Sequence, residues 1–365
     1  MGRFGHHVID ADGHGGEPPQ WWKRMPAHLA EQTEAFVAKV RSRYGDIPTS
    51  QVGEGMRPGA GHVQWDASAM RPGMYDPAPR LDDMDLEGID MAVLFPPGAG
   101  EEWALRDPQF AIALCRTLND ARAEYCAHAP QRLKAVAKLP MMEPQAAAEE
   151  LHRAVTTLGM VGMVTPQHVL ERNLDDPAFD VVWKAAQDLD VPVCIHGGGQ
   201  APDQVPWAIE RFDTRLMVHA VSHPFGQMMA VMCFTAGGVL TRFPRLRAGF
   251  MEGGVGWLPF WLERLDEHWE LMRDQAQCEV APSELILGGR CFISGEPDEK
   301  LVAYLSSNVS DRLVCYASDY HHWDCQFPDS VRIVVERDDL SAAQKQRILC
   351  DNPAALYGFA VPAVV

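Results

Sequence analysis

Residues 8–17 read Val8-Ile9-Asp10-Ala11-Asp12-Gly13-His14-Gly15-Gly16-Glu17, a short apolar run that passes into polar residues at every second position. In extended backbone, residues two apart face one side, so a strand here aims Asp10, Asp12 and His14 at one place. A face turned to a core would carry Val or Ile instead. The chain supplies seven more strands of this length. β-like runs recur at residues 91–95, 135–139, 161–164, 193–196, 247–252, 290–294 and 313–318, each followed by a longer segment with helical spacing. Asp176-Pro177-Ala178-Phe179 opens a helix that runs to Asp190, and Gly256 to Met272 places Leu258, Trp261, Leu262, Leu265 and Trp269 on one face.

Eight strands alternating with helices predict an α/β fold, a TIM (β/α)8 barrel, in one domain over residues 1–365. A long insertion after the first strand, residues 18–80, distorts it. Its Gly- and Pro-rich stretch 53–73 carries His62, Trp65 and Arg71. Because this segment leaves the C-terminal end of strand one, it lies over the mouth as a lid or an inter-subunit arm, unless it is a plain surface insertion.

Composition narrows the partners. Against 50 Asp plus Glu stand 32 Lys plus Arg, a formal charge of -18 with no basic cluster. Nucleic acid and anionic membranes are therefore not expected, whereas a small molecule is. Nine cysteines without CxxC pairs, and an opening MGRFGHHVID that is not an apolar signal segment, lead to the expectation of a cytoplasmic protein with reduced thiols. Apolar stretches such as Met228 to Phe234 fall short of a membrane span.

Chemistry collects at the strand ends. Asp12 and His14 end the first strand, His196 the fifth (VPVCIHGGG), Glu252 the sixth (RAGFMEGG) and Asp319 the eighth (LVCYASDYHHWD). Mixed imidazole and carboxylate sets hold Zn2+ or Mn2+ with a position open for water or substrate. One divalent ion is expected, Zn2+ first and Mn2+ second. Gly13 gives the backbone room to curl around it, and Asp10, one step deeper, is expected as a buried hydrogen-bonding support. Cys194 reads as packing one layer below His196. Gly197-Gly198-Gly199 lacks the full GxGxxG pattern and reads as space for substrate.

Several segments in order carry a resemblance: Tyr75-Asp76-Pro77 with Arg80 to Asp90, Pro192 to His196, Gly237 to Leu246, Phe250 to Gly254, Tyr316 to Tyr320 with His322-Trp323-Asp324, and Ile348 to Asn352 with Ala355 to Gly358. The chain resembles amidohydrolase family 2, the branch of the amidohydrolase superfamily that contains aminocarboxymuconate-semialdehyde decarboxylase and the resorcylate decarboxylases. The resemblance implies Asp12, His14, His196 and Asp319 as metal ligands, with Asp319 also catalytic. It departs in two places: Asp12 stands where many members carry His or Glu, and Glu252 where the decarboxylases carry a catalytic His.

Three roles fit Glu252: further metal ligand, proton shuttle, or partner of a ligand His. His223, before the helix that starts near Pro224, is the replacement general acid or base, or else a structural helix-start residue. His321 or His322 also stands close enough to Asp319 to line the site. The implied reaction is decarboxylation of a hydroxylated aromatic or unsaturated carboxylic acid. Absence of the sixth-strand His favours the alternative, hydrolysis of an amide, ester or lactone by metal-activated water. A barrel that has lost catalysis and only binds is the third reading. Lys23, Arg71, Arg211 and Arg215 are candidate cations for an acidic substrate, and Trp21, Trp22, Trp65 and Trp207 a candidate aromatic wall. The resemblance also implies a homodimer, with Trp257, Phe260 and Trp261 offering apolar surface.

Overall fold

The computed structural model describes residues 2–17, 20–44, 71–96, 106–197, 212, 214–322 and 324–361. Eight short strands run parallel and pair in chain order: β1 (Ile9–His14), β2 (Met91–Phe95), β3 (Leu133–Lys138), β4 (Gly162–Thr165), β5 (Val193–His196), β6 (Ala248–Met251), β7 (Cys291–Gly295) and β8 (Val314–Tyr316). The ring closes where the Asp319 N–H donates to the Asp12 carbonyl at 3.0 Å and the His14 N–H to the Tyr320 carbonyl at 2.6 Å. This is the expected TIM barrel, with strand limits within a few residues of those read from the sequence. An antiparallel pair, His168–Val169 with Arg172–Asn173, stands apart from it.

Helices wrap the ring: α1 (Ala30–Tyr44), α2 (Pro77–Glu87), α3 (Pro108–Ala127), α4 (Pro144–Thr156), α5 (Asp180–Asp188), α6 (Arg215–Phe234), α7 (Val239–Arg242), α8 (Leu258–Leu271), α9 (Pro282–Leu287), α10 (Leu301–Asn308), α11 (Ser330–Glu336), α12 (Ala342–Gln346) and α13 (Asn352–Tyr357). One device starts three helical segments. Asp76, Asp107 and Asp176 each precede a proline and accept a backbone N–H, from Ala78, Phe110 and Ala178. The helix expected from Asp176 to Asp190 opens as a 3-10 turn, Pro177–Phe179, and ends at Asp188.

Alternation decides what fills the barrel. Ala11, Val93, Phe95, Val136, Val164, Cys194, Met251, Phe292 and Cys315 pack inside, with Leu356 and Tyr357 of α13. Each large apolar side chain of that layer contributes about 1.5–3 kcal/mol on burial. Cys194 is thus packing, its sulfur 3.6 Å from the Tyr357 hydroxyl. The next inward residue of β5 is His196, which opens the polar layer above.

The heart of the insertion, residues 45–70 with His62 and Trp65, lies outside the described residues, as does Trp207. Its first part docks on α3. Trp21, Met25 and Leu29 pack with Phe110, Leu114 and Leu118, so Trp21 belongs to a core rather than to a substrate wall. Among the described residues no helix is long and apolar enough to cross a membrane.

Candidate active site

The first strand does not alternate as the sequence reading has it. Its pairing with β2 shifts between Asp10 and Gly13, a β-bulge. Ala11 packs in the lumen and Asp12 reaches His196 across it, so two successive residues face inward. Gly13 then faces the outer layer, where a Cβ would stand 2.6 Å from Asp10 Oδ2 and 2.7 Å from an Arg80 nitrogen. Asp10 is therefore separated from Asp12 and His14, contrary to the single face predicted.

From below, Asp10 ties the corner together. Its Oδ1 accepts from the Asp12 N–H at 3.2 Å and the Ser318 N–H at 2.9 Å, and its Oδ2 accepts from the Ser318 hydroxyl at 2.6 Å. Arg80, stacked 3.6 Å over the Tyr320 ring, lies 3.8 Å from Oδ2. Burial pushes the Asp10 carboxyl up to about 6 against the pull of Arg80 and Ser318. The expected support role is what these bonds perform.

Above the bulge a ring of buried donors forms. His14 Nε2 lies 3.1 Å from Asp319 Oδ1, His322 Nδ1 lies 2.7 Å from that same oxygen, and His322 Nδ1 lies 3.1 Å from Glu252 Oε1. His196 Nδ1 is 3.2 Å from Glu252 Oε2, and its Nε2 is 3.5 Å from Asp12 Oδ1. The His14 and His322 rings stack with centroids 4.0 Å apart. Glu252 and Asp319 both sit in left-handed backbone, φ 51° and 50°, a costly state for non-glycine residues that clusters at functional sites. Fixed bonds hold them there: the Glu252 N–H donates to Ser294 Oγ at 2.7 Å and the Asp319 N–H to Asp12.

Donor atoms fall into two overlapping groups, Asp12/His14/His196 and His14/Glu252/Asp319/His322, each gathered within 4.8 Å. His14 belongs to both. Asp12 Oδ1, His14 Nε2, Glu252 Oε2, Asp319 Oδ1 and His322 Nε2 are buried without an aligned hydrogen-bond partner among the described residues. Buried polar atoms left this way are rare, and converging lone pairs of this chemistry fit a divalent cation.

Protonation follows the surroundings. Burial, helped by the charge of His322, lowers His14 to about 4. Burial also lowers His223 to about 3, with His219 and His196 adding to it, so both rings are neutral. Burial opposes ionisation of Asp319, but His322 and His14 outweigh it and hold this carboxyl well below its usual range. His322 is raised well above an ordinary imidazole because Asp319 and Glu252 outweigh its burial. Burial pushes Glu252 up.

Beside the ring opens a cavity of about 410 Å³ lined by His219, His223, Glu252, Glu296, Asp298, Glu299, Asp319 and Asp324. His223 does not stand at a helix start as expected. α6 begins at Arg215 and continues through Pro224, so His219 and His223 are one turn apart with ring centroids at 4.5 Å. A proline inside a helix reads as a break, yet here neighbours stabilise the turn: Gln167 Nε2 donates to the His223 carbonyl at 3.0 Å. A Cβ on Gly197 would fall 2.3 Å from His223 Cδ2, so this glycine makes room for His223 rather than for substrate. The ring is oriented by Ser222 Oγ, 2.8 Å from Nδ1, leaving Nε2 3.6 Å from Glu252 Oε2.

Of the two histidines after Asp319, His322 enters the ring, while His321 packs against Tyr320 and Phe327. Glu296, just past β7, escaped the sequence reading, although FISGEPDEK shows an acid at that strand end. Arg71 donates to Asp83 at 2.6 Å and stacks on Phe327, and Lys23 is exposed on a turn. Arg211 and the Arg215 side chain lie outside the described residues. Trp257 and Trp261 are engaged at carbonyls of Gly253, Gly254 and Met228, which leaves Phe260 as the exposed member of that trio.

The ends of four strands, β1, β5, β6 and β8, thus bring this donor ring together. The amidohydrolase family model matches residues 59–359. The chain belongs to the amidohydrolase family. Curated relatives of this amidohydrolase include 2-amino-3-carboxymuconate-6-semialdehyde decarboxylase of Dictyostelium discoideum, 27% identical over 67% of this chain and 67% of that protein. Gamma-resorcylate decarboxylase of Rhizobium sp. is 32% identical over 51% of this chain and 58% of its own length, so the match spans little more than half of that relative. Among solved structures, 5-carboxyvanillate decarboxylase of Novosphingobium aromaticivorans, complexed with manganese and 4-hydroxy-3-methoxy-5-nitrobenzoic acid, superposes with a TM-score of 0.77. It is 21% identical and the match covers 98% of this amidohydrolase and 97% of that chain, a likeness of fold.

Proposed function

We propose that this amidohydrolase is a metal-dependent decarboxylase of a hydroxylated aromatic or similarly unsaturated carboxylic acid. One observation carries the reading: His14 joins the buried donors of Asp12 and His196 to those of Asp319 beside a cavity onto which His223 opens. Relatives named as decarboxylases support it. Asp12, His14, His196 and Asp319 would hold the ion. Two carboxylates harden this set, and manganese occupies the solved 5-carboxyvanillate decarboxylase, which favours Mn2+ over the Zn2+ expected first. When bound, the ion supplies an anchor and electron sink for the substrate carboxylate and a neighbouring hydroxyl.

The chain itself manages the proton. Decarboxylation breaks a ring-carbon to carboxyl bond and forms a C–H bond, so an acid must stand at the cavity wall. Glu252 and His223 face each other across 3.6 Å and both reach the cavity, forming the pair that delivers that proton. Asp319, kept ionised between His14 and His322, receives the proton of the substrate hydroxyl. The same ionised Asp319 favours one second reading, hydrolysis of an amide, ester or lactone with Asp319 as base. Incubation of metal-replete protein with hydroxybenzoates and with lactone and amide substrates separates the two. Carbon dioxide release is expected; acid release without carbon dioxide would overturn the decarboxylase.

As a cytoplasmic homodimer the protein would cover apolar side chains that α6 and α8 expose, Phe225, Met232 and Phe260. Light scattering of the purified chain tests the dimer: a monomer mass overturns it.

A further inference from the structure

Helix α6 carries a buried amide that the proton path does not use. Gln227 stands one turn after His223, fully buried where α6 faces the barrel. Its Nε2 donates to the Ile195 carbonyl at 3.0 Å and to the Met251 carbonyl at 2.5 Å. Those carbonyls belong to adjacent strands, β5 and β6, and each directly precedes a residue of the donor ring, His196 and Glu252. One side chain thus ties together the strand end that grips the proposed ion, the strand end that carries the acid, and the helix that carries His223.

Three observations show that these N–H groups do more than fill space. Gln227 Oε1 is buried without a hydrogen-bond partner among the described residues, a cost that an apolar side chain of the same size would avoid. Both ring residues are followed by glycine, Gly197 and Gly253, the residue type with the freest backbone, so the next residue restrains neither strand end. Gly253 also makes the room, since a Cβ there would fall 2.7 Å from Gln227 Cγ. Finally, Glu252 sits at φ 51°, a strained state that persists only where the surroundings fix it. Both polar atoms of the Met251–Glu252 peptide are held by side chains: Ser294 Oγ accepts from its N–H, and Gln227 donates to its carbonyl.

We propose that Gln227 is a positioning residue, which sets His196 against the ion and Glu252 against His223 by holding the peptide planes that precede both. This rests on the proposed ligand set and proton pair. A tilt of either plane swings the side chain that follows, and a displacement on the order of 1 Å is enough to cost about 100-fold in rate. Gln167 offers a contrast on the same helix. It is also fully buried, but its Nε2 donates to the His223 carbonyl at 3.0 Å and so braces α6 itself.

Gln227→Met and Gln167→Met each remove one amide and test it. Mn2+ affinity of the purified chain is measured by calorimetric titration, stability by the urea midpoint, and kcat and KM at saturating Mn2+ by carbon dioxide release from a hydroxybenzoate. Gln227→Met is expected to weaken Mn2+ binding on the order of tenfold and to lower kcat by about 10–100-fold with KM nearly unchanged. Gln167→Met is expected to keep the wild-type Mn2+ affinity. Wild-type Mn2+ affinity and kcat in Gln227→Met, with only a lower urea midpoint, would reduce the residue to packing and overturn the proposal. So does an equal weakening of Mn2+ by both variants, because the effect would then be a general loosening of α6. Should Gln227→Met not fold, Gln227→Asn, one methylene too short to span both carbonyls, carries the same measurements. If the wild type releases no carbon dioxide from any hydroxybenzoate, the decarboxylase reading fails, and the Mn2+ comparison by itself decides the role of Gln227.

Discussion

The two sides of the mouth are built by opposite means. At the first strand, Asp12 and His14 are aimed by a bulge that Asp10 holds from below, hydrogen-bonded to Asp12 and Ser318 with Arg80 3.8 Å away. At the sixth to eighth strands, Glu252 and Asp319 are aimed by left-handed backbone, and most of their carboxylate contacts are to other titratable groups. The first side is an anchor, fastened by hydrogen bonds within the protein. The second sets carboxylates and imidazoles directly against one another, so a proton changes its energy most.

Removing two of the proposed ligands at once has the largest effect. The His196→Ala/Asp319→Ala protein is expected to lose its bound metal entirely, read by elemental analysis after dialysis; unchanged metal content would dismiss the ligand assignment. His223→Asn should keep the metal and lower kcat by about 10²–10⁴-fold, the usual worth of a positioned acid or base. Steady-state kinetics of that variant, with a normal metal content and a normal rate, would remove His223 from the proton path.

Asp10→Ala attacks the anchor from below. It leaves the buried Arg80 guanidinium without its carboxylate and is expected to cost about 3 kcal/mol in urea unfolding. Glu252→Gln, on the other side, should leave the unfolding midpoint nearly in place while lowering turnover. A reversed pattern would dissolve the contrast between anchor and chemistry.

The smallest effect is one of pH. Glu87, buried behind the anchor and bonded to Ser330 Oγ, is raised to about 7 by burial, against an unfolded value of 4.5. The folded chain therefore binds this proton more tightly, and the side chain costs stability increasingly as pH rises from about 4.5 through 7. Glu87→Gln should gain on the wild type over that window, by about 1–3 kcal/mol at its upper end. Parallel stability curves for the two proteins from pH 4.5 to 7.5 would show that Glu87 ionises freely.

Much of this was legible in one dimension. Asp12, His14, His196, Glu252 and Asp319 were found because each follows a short apolar run, and in a parallel barrel all such ends share one face. What escaped depended on neighbours distant in sequence. The bulge that turns Asp12 inward is set by pairing with β2 and β8. The passage of α6 through Pro224 is supported by Gln167, and the placement of His322 over His14 follows from the turn after β8. Hydrophobic periodicity records which way a residue faces within its own element, because that preference is local. It does not record which elements meet, so the barrel and its reactive end were determined by the sequence itself. The split into an anchored side and a charged side was decided only when β1, β6, β7 and β8 came together.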